Sequence, residues 1–168
     1  FKKPAGTSRG TYTERKSWFL VLSSKDDPDR WVVGECAPLP NLSCDDVPGY
    51  EEMLAKACQN FTNTGKIDID GLRDYPSILF GLETALLHFA ANSFNMWDTP
   101  FSRGEAGIPI NGLLWMGRYE AMSRQVADKI ESGFRCIKLK IGAIDLDNEF
   151  EILRMIREQS YSAALALR

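Results

Sequence analysis

Lys138 and Lys140 stand two residues apart in "GFRCIKLKIGA" (133–143), alternating with Ile137, Leu139 and Ile141. Alternation of this kind is the period of a β-strand, so one face is apolar and the other carries both amines. A lysine that has shed its proton can act as a general base or a Schiff-base nucleophile. Free lysine titrates near 10.4, so such a role requires surroundings that lower that value. Two ammonium groups at i and i+2 lie about 7 Å apart and repel by roughly 2 kcal/mol at an effective dielectric of 20. Partial burial pushes the same way. Lys140, nearer the C-terminal end of the strand, is the candidate base, and Lys138 the neighbour that tunes and positions it. A solvated edge strand with two wet lysines is the competing reading of the pattern.

Other chemistries find less support. His88 is the single histidine, which argues against a histidine metal site or a Ser-His triad within these residues. Cys36, Cys44, Cys58 and Cys136 fall at irregular spacings with no CxxC pair, and read as reduced and mostly packed. A formal charge of −3 offers no basic surface of the kind nucleic acid requires. No apolar run reaches the length of a membrane span and no signal peptide opens the sequence. The expectation is a cytoplasmic protein acting on a small molecule, with neither nucleic acid nor membrane as partner.

The elements that must position the lysines fall into two halves. "KSWFLVLSS" (16–24) and "RWVVGECAPL" (30–39), separated by the polar "KDDPD", read as a β-hairpin. "DDVPGYEEMLAKACQNF" reads as a helix opened by acidic residues. "YPSILFGLETALLHFAANSF" reads as a second, apolar on most of its circumference and expected to be buried between layers. His88 lies on that helix and reads as structural.

After Pro100 the pattern changes. "GIPINGLLWMG" (107–117) reads as a strand with its exit loop, and "EAMSRQVADKIESG" (120–133) as an amphipathic helix with Met122, Val126 and Ile130 inward and Gly133 as its cap. The lysine strand follows. "DLDNEFEILRMIRE" (145–158) reads as a helix capped by Asp145, with Leu146, Phe150 and Leu153 on one face, and "ALALR" begins a third strand. Strand, helix, strand, helix, strand predicts a parallel sheet, both faces of which are normally covered. In a barrel Ile137, Leu139 and Ile141 would face the helices, while Lys140 would reach the mouth where such enzymes work.

"KPAGTSRG" (3–10), "GECAPLPNLS" (34–43), "PSILFGLETAL" (76–86), "PINGLLWMG" (109–117) and "GFRCIKLKIGA" together resemble the o-succinylbenzoate synthase family, a branch of the enolase superfamily in its muconate-lactonizing-enzyme-like subgroup. The resemblance runs through nearly the whole sequence, in order. It implies an α+β capping domain (1–105) followed by the first βα units of an α/β, TIM-like barrel (106–168), the barrel being incomplete in this chain. It also implies a magnesium-assisted dehydration of 2-succinyl-6-hydroxy-2,4-cyclohexadiene-1-carboxylate in menaquinone biosynthesis. Lys140 would abstract the proton next to the substrate carboxylate, with magnesium holding the resulting enediolate. In such enzymes the capping loops close the barrel mouth, which makes Thr7, Ser8 and Arg9 candidate substrate contacts, with Leu42 and Ser43 weaker ones. Arg9 is the best suited to a carboxylate, and "AGTSRG" has the composition of a mobile lid. His88 stands where many superfamily members carry an aspartate.

A whole barrel takes about 250 residues, far more than follow residue 105. The magnesium carboxylates implied by the resemblance would lie beyond Arg168, and an initiator Met is absent before Phe1. The expectation is a piece of a longer enzyme, holding no metal ligands and inactive alone. Three alternatives stay open: a racemase, epimerase or cycloisomerase sharing the same proton abstraction; a Schiff-base aldolase built on Lys140; and a non-catalytic α/β binding module. Nothing in the sequence fixes the oligomeric state.

Overall fold

The computed structural model describes residues 1–2, 4–7, 10–142, 144–159 and 164–167, and for 6–7 and 164–167 the backbone alone. The chain divides into two compact units, Phe1–Ala106 and Gly107–Arg168.

In the first unit a short hairpin, β1 (Ala5–Thr7) and β2 (Gly10–Tyr12), precedes a longer one, β3 (Trp18–Ser23) and β4 (Trp31–Cys36). Both are antiparallel, with Thr7 opposite Gly10 and Val21 opposite Val33. Of "AGTSRG", Ala5–Thr7 and Gly10 thus belong to paired strands. The tip residues Ser8 and Arg9, which the lid reading needs, lie outside the described residues.

Helices α1 (Tyr50–Thr64) and α2 (Pro76–Ala91) follow. Leu20, Val32, Cys36, Tyr50, Ala57, Leu72, Ile78, Leu82 and Ala85 form the core. Trp18, Tyr50 and Tyr75 stack in series at centroid distances of 4.7 and 6.4 Å. Arg30 sits 4.2 Å over the Phe89 ring and donates to the Phe89 carbonyl, pinning the far end of α2.

The expectation that α2 is buried all round is not met. Ile78, Gly81, Leu82 and Ala85 are buried against the β3–β4 hairpin, whereas Phe80 is 61% exposed and Leu86 and Leu87 each 39%. Burial follows the two glycines. A Cβ on Gly34 of β4 would be driven into the Gly81 carbonyl oxygen, and one on Gly81 into the Cys36 sulfur. These positions let helix and strand approach closely, and the opposite side of the helix is left apolar but uncovered.

Asp45 also departs from its expected role. It does not open α1, whose first turn carries Glu51 and Glu52 behind Gly49. It is fully buried and caps α2 from a distance, accepting from the Ser77 backbone N–H at 2.8 Å and from the Ser77 hydroxyl at 2.5 Å. Tyr75, the N-cap of α2, supplies no side-chain bond, so Asp45 satisfies a helix-end donor that would otherwise be orphaned.

The second unit contains β5 (Gly112–Leu114), α3 (Tyr119–Glu131), β6 (Cys136–Leu139), α4 (Leu146–Gln159) and β7 (Ala164–Leu167). The strands form a parallel sheet ordered β5-β6-β7. Met122 and Val126 of α3 and Ile152 and Ile156 of α4 close over Leu114, Ile137 and Leu139, all seven fully buried. Ser132 ends α3, and Gly133 at φ 80° makes the left-handed turn. The Gly133 N–H then bonds the Ile130 carbonyl at 2.9 Å and the Phe134 N–H the Lys129 carbonyl at 3.2 Å, the pairing of a Schellman motif. Phe134 folds back against Gly112, where a Cβ would meet the ring at 2.9 Å.

The inward face of α4 differs from the one expected. Glu149, Ile152 and Ile156 are buried, while Leu146 is 64% and Phe150 54% exposed. Ile141 is also exposed, because β6 ends at Leu139.

The helix–strand contact at the paired glycines yields a prediction. Gly34→Ala puts a methyl against backbone that cannot swing aside, and should cost at least about 2 kcal/mol, read as a fall in the urea midpoint. A change below about 0.5 kcal/mol would show that α2 and β4 can separate freely.

Candidate functional site at the end of the lysine strand

The alternation of β6 is built into its packing. Ile137 and Leu139 are sealed by α3 and α4, so Lys138 stands on the other side of the sheet and is half-buried. Lys140, also half-buried, is the first residue beyond the strand. Fully burying an Ile or Leu side chain is worth about 1.5–3 kcal/mol. A one-residue slip of β6 would forfeit that twice over and bring an ammonium group into the apolar layer. The register is therefore strongly held.

The register pairs Leu113 with Lys138 and Leu114 with Leu139. Trp115 and Lys140 are each the first residue past this ladder, and Trp115 is 47% exposed. The sequence reading passed over Trp115, although its parity with Leu113 was available in "GLLW".

Two further residues shape this end of the sheet. Gln125 of α3 reaches back to the exit of β5, accepting from the Trp115 N–H at 2.8 Å and donating to the Trp115 carbonyl at 3.1 Å. Glu149 of α4 is 5% exposed and accepts from the Gly142 N–H just past Lys140. The signal for Glu149 was its place in the stripe 149, 152, 156, where a charge occupies a core position.

Asp145 caps α4 as expected. Its Oδ1 accepts from the Asn148 N–H at 3.1 Å and its carbonyl from the Glu149 N–H at 3.1 Å. The Asn148 N–H bond, foremost among several, holds the Asp145 carboxyl below the usual 3.8.

The remaining sequence candidates belong to the first unit. Ser43 is a turn residue: its hydroxyl accepts from the Leu39 N–H at 2.9 Å, and its own N–H bonds the Leu39 carbonyl at 3.0 Å. Leu42 is 43% exposed beside it. The Tyr12 hydroxyl donates to the Pro40 carbonyl at 2.9 Å, and Arg15 to the Ala37 carbonyl, so the hairpin that carries Thr7 is tied to the loop that carries Leu42 and Ser43. Only the backbone of Thr7 is described.

Cysteine chemistry is not offered here. The Cys36 thiol is pushed up to about 11, chiefly by burial, and Cys58 is raised for the same reason; a protonated thiol is a poor nucleophile. All four cysteines are free, though Cys44 is exposed rather than packed. His88 stacks on Phe94 at 4.5 Å.

A depression of about 370 Å³ lined by Pro109, Ile110, Ser132, Gly133, Phe134 and Arg135 lies beside the residues that lead into β5 and β6. That is the opposite end of the strands from Lys140, and barrel chemistry sits at the C-terminal end. Among the described residues no three His, Cys, Asp or Glu side chains cluster to hold a metal ion. Among those residues, too, no helix is long and apolar enough to cross a membrane.

The Asp145 cap predicts a pH effect with a defined sign. A carboxyl whose folded value is lowered stabilises fully above its unfolded value, near 3.8, and loses that contribution as pH falls through the folded value. The urea midpoint of Asp145→Ala should fall below that of the parent at pH 7, and the gap should narrow at pH 2.5. A gap of constant size would show that the charge of Asp145 has no part in the cap.

No family model matches the chain. It is 35% identical to a curated o-succinylbenzoate synthase of Desulfotalea psychrophila (strain LSv54 / DSM 12343), an alignment that takes in all of this chain and 54% of that protein. In structure it is similar to the L-Ala-D/L-Glu epimerase from Bacillus subtilis, solved as a substrate-liganded complex (TM-score 0.63, 17% identity, 98% of this chain and 48% of that one). A mandelate racemase/muconate lactonizing protein from Herpetosiphon aurantiacus matches at TM-score 0.65 and 15% identity, over 98% and 48% of the two chains. A dipeptide epimerase from Cytophaga hutchinsonii, complexed with Mg and the dipeptide D-Ala-L-Val, matches at 0.62 and 18%, over 99% and 47%. The chain thus spans about half the length of the relatives it matches. The structural likenesses speak to the fold alone. With the sequence likeness they bear out the family and fold read from the sequence: an α+β capping domain and the opening βα units of a barrel that does not close within these residues. In sequence the chain is similar to an o-succinylbenzoate synthase, and in fold to epimerases and racemases of the enolase superfamily.

Proposed function

We propose that the full-length protein carrying this sequence is an o-succinylbenzoate synthase, a carbon–oxygen lyase that dehydrates 2-succinyl-6-hydroxy-2,4-cyclohexadiene-1-carboxylate. What supports this reading is Lys138 on the sheet face opposite α3 and α4 with Lys140 just beyond the strand's C-terminal end, in a chain 35% identical to a relative of that name. We assign residues 1–105 to the cap and 106–168 to the barrel.

In this reading Lys140, as the free amine, removes the proton on the carbon next to the substrate carboxylate, and the electron pair of that C–H bond moves into the carboxylate. The pair then returns to form a ring double bond as the neighbouring C–O bond breaks. The same lysine gives its proton to the departing hydroxide, so water leaves and the ring becomes aromatic. Lys138 positions Lys140 and attracts the substrate carboxylate. Arg9, with Thr7 and Ser8, holds a substrate carboxylate from the cap, Leu42 forms apolar wall, and Ser43 holds its turn. Magnesium, with ligands assigned beyond residue 168, supplies further stabilisation of carboxylate charge when bound. The protein would act on a small-molecule carboxylate in the cytoplasm, in menaquinone biosynthesis.

The second reading, epimerisation of dipeptides, is favoured by the two epimerases among the structural likenesses. At 17% and 18% identity these bear on fold alone, and the sequence relative takes precedence.

The test is turnover by the purified full-length protein of the cyclohexadiene substrate against dipeptides and N-acyl amino acids. Dehydration should dominate, and Lys140→Ala and Lys140→Arg should each lower kcat by about 10³–10⁴-fold. Dipeptide epimerisation without dehydration would replace the first reading by the second. A Lys140→Ala variant within tenfold of the parent would remove Lys140 as the base.

A further inference from the structure

Glu149 occupies a costly position. It lies on the face of α4 that packs on the sheet, in line with Ile152 and Ile156, and is 5% exposed. A buried carboxylate carries a desolvation cost that an apolar side chain of similar size would avoid. What the carboxylate gains is the backbone of the loop after β6: its Oε1 accepts from the Gly142 N–H, two residues beyond Lys140. Gly142 is at φ +87°, with open space where a Cβ would stand. The glycine thus answers the backbone turn itself rather than crowding.

The neighbouring βα unit repeats the device with different chemistry. Gln125 of α3 bonds both the N–H and the carbonyl of Trp115, the first residue beyond β5. In both units a long polar side chain on the following helix captures backbone at the exit of the preceding strand. One such bond would pass as a loop contact. Two at the same station, each just past the end of a strand in the paired ladder β5–β6, mark this rim as held in place from behind.

We propose that Glu149 is a positioning residue for Lys140: by fixing the backbone at Gly142 it sets where the Lys140 side chain leaves the sheet. This rests on the reading of Lys140 as the base. Displacement of a reacting group by about 1 Å can cost about 10²-fold in rate. Gln at 149 keeps an oxygen to accept the Gly142 N–H, whereas Leu fills the space without an acceptor.

The experiment compares Glu149→Gln and Glu149→Leu in the full-length protein by two readouts. The first is the backbone amide of Gly142 by NMR. In Glu149→Leu its hydrogen exchange should quicken at least tenfold with the thermal midpoint unchanged or raised; in Glu149→Gln it should stay within about threefold. The second is turnover. Glu149→Leu should lose about 10–100-fold in kcat with KM within about threefold, and Glu149→Gln should recover most of it. Equal kcat in Glu149→Leu and the parent would overturn the proposal. So would losses in both variants that simply follow a lowered thermal midpoint. If the parent turns over no carboxylate substrate, the reading of Lys140 fails and the proposal with it, while the amide signal still reports separately whether Glu149 holds Gly142.

Discussion

The sealing of Ile137 and Leu139 under α3 and α4 is the constraint on which the site depends. Successive strand residues point to opposite faces, so a strand whose odd positions are locked into an apolar layer has no freedom in its even ones. Lys138 stands on the face away from the helices because the alternative would expose two large aliphatic side chains and bury a charge. This is a packing constraint before it is a catalytic one.

A strand face fixes direction but not position, and the rim beyond the strand needs its own supports. Lys140 lies past the last ladder pair of β6, as Trp115 does past β5. The helices that cover one side of the sheet also supply them. Asp145 starts α4 at a defined place, Glu149 reaches from its first turn to Gly142, and Gln125 grips Trp115. The Schellman turn at Gly133, with Phe134 folded onto Gly112, fixes how the chain re-enters the sheet. In the first unit Asp45 has a comparable part, holding the start of α2 from the loop that follows Leu42 and Ser43.

Much of this was legible in the sequence, for a physical reason: period and punctuation are local. The β3–β4 hairpin, the amphipathic α3, the cap at Asp145, the left-handed Gly133 and the alternation of β6 all follow from neighbours within a few residues. What escaped depends on partners far along the chain. Asp45 reads as a helix opener because Asp is common there, and only its meeting with Ser77 reveals a different task. The apolar circumference of α2 could not disclose which side Gly34 and Gly81 would bring into contact. On α4 the stripe of Leu146, Phe150 and Leu153 was only partly right: Leu153 packs against the core, whereas Leu146 and Phe150 are exposed and the inner face runs through 149, 152 and 156, where a carboxylate hid it from hydrophobicity. That mismatch between local preference and final burial falls beside the candidate site, where local rules are most often broken.

The account stands on where two amines lie relative to one apolar layer. A crystal structure of the full-length protein at a resolution that fixes both Nζ atoms measures this most directly. It should show Lys138 and Lys140 opening into one shared cavity on the side of the sheet away from Met122, Val126, Ile152 and Ile156. Either amine lying among those helix residues, or the two on opposite sides of the sheet, would contradict it.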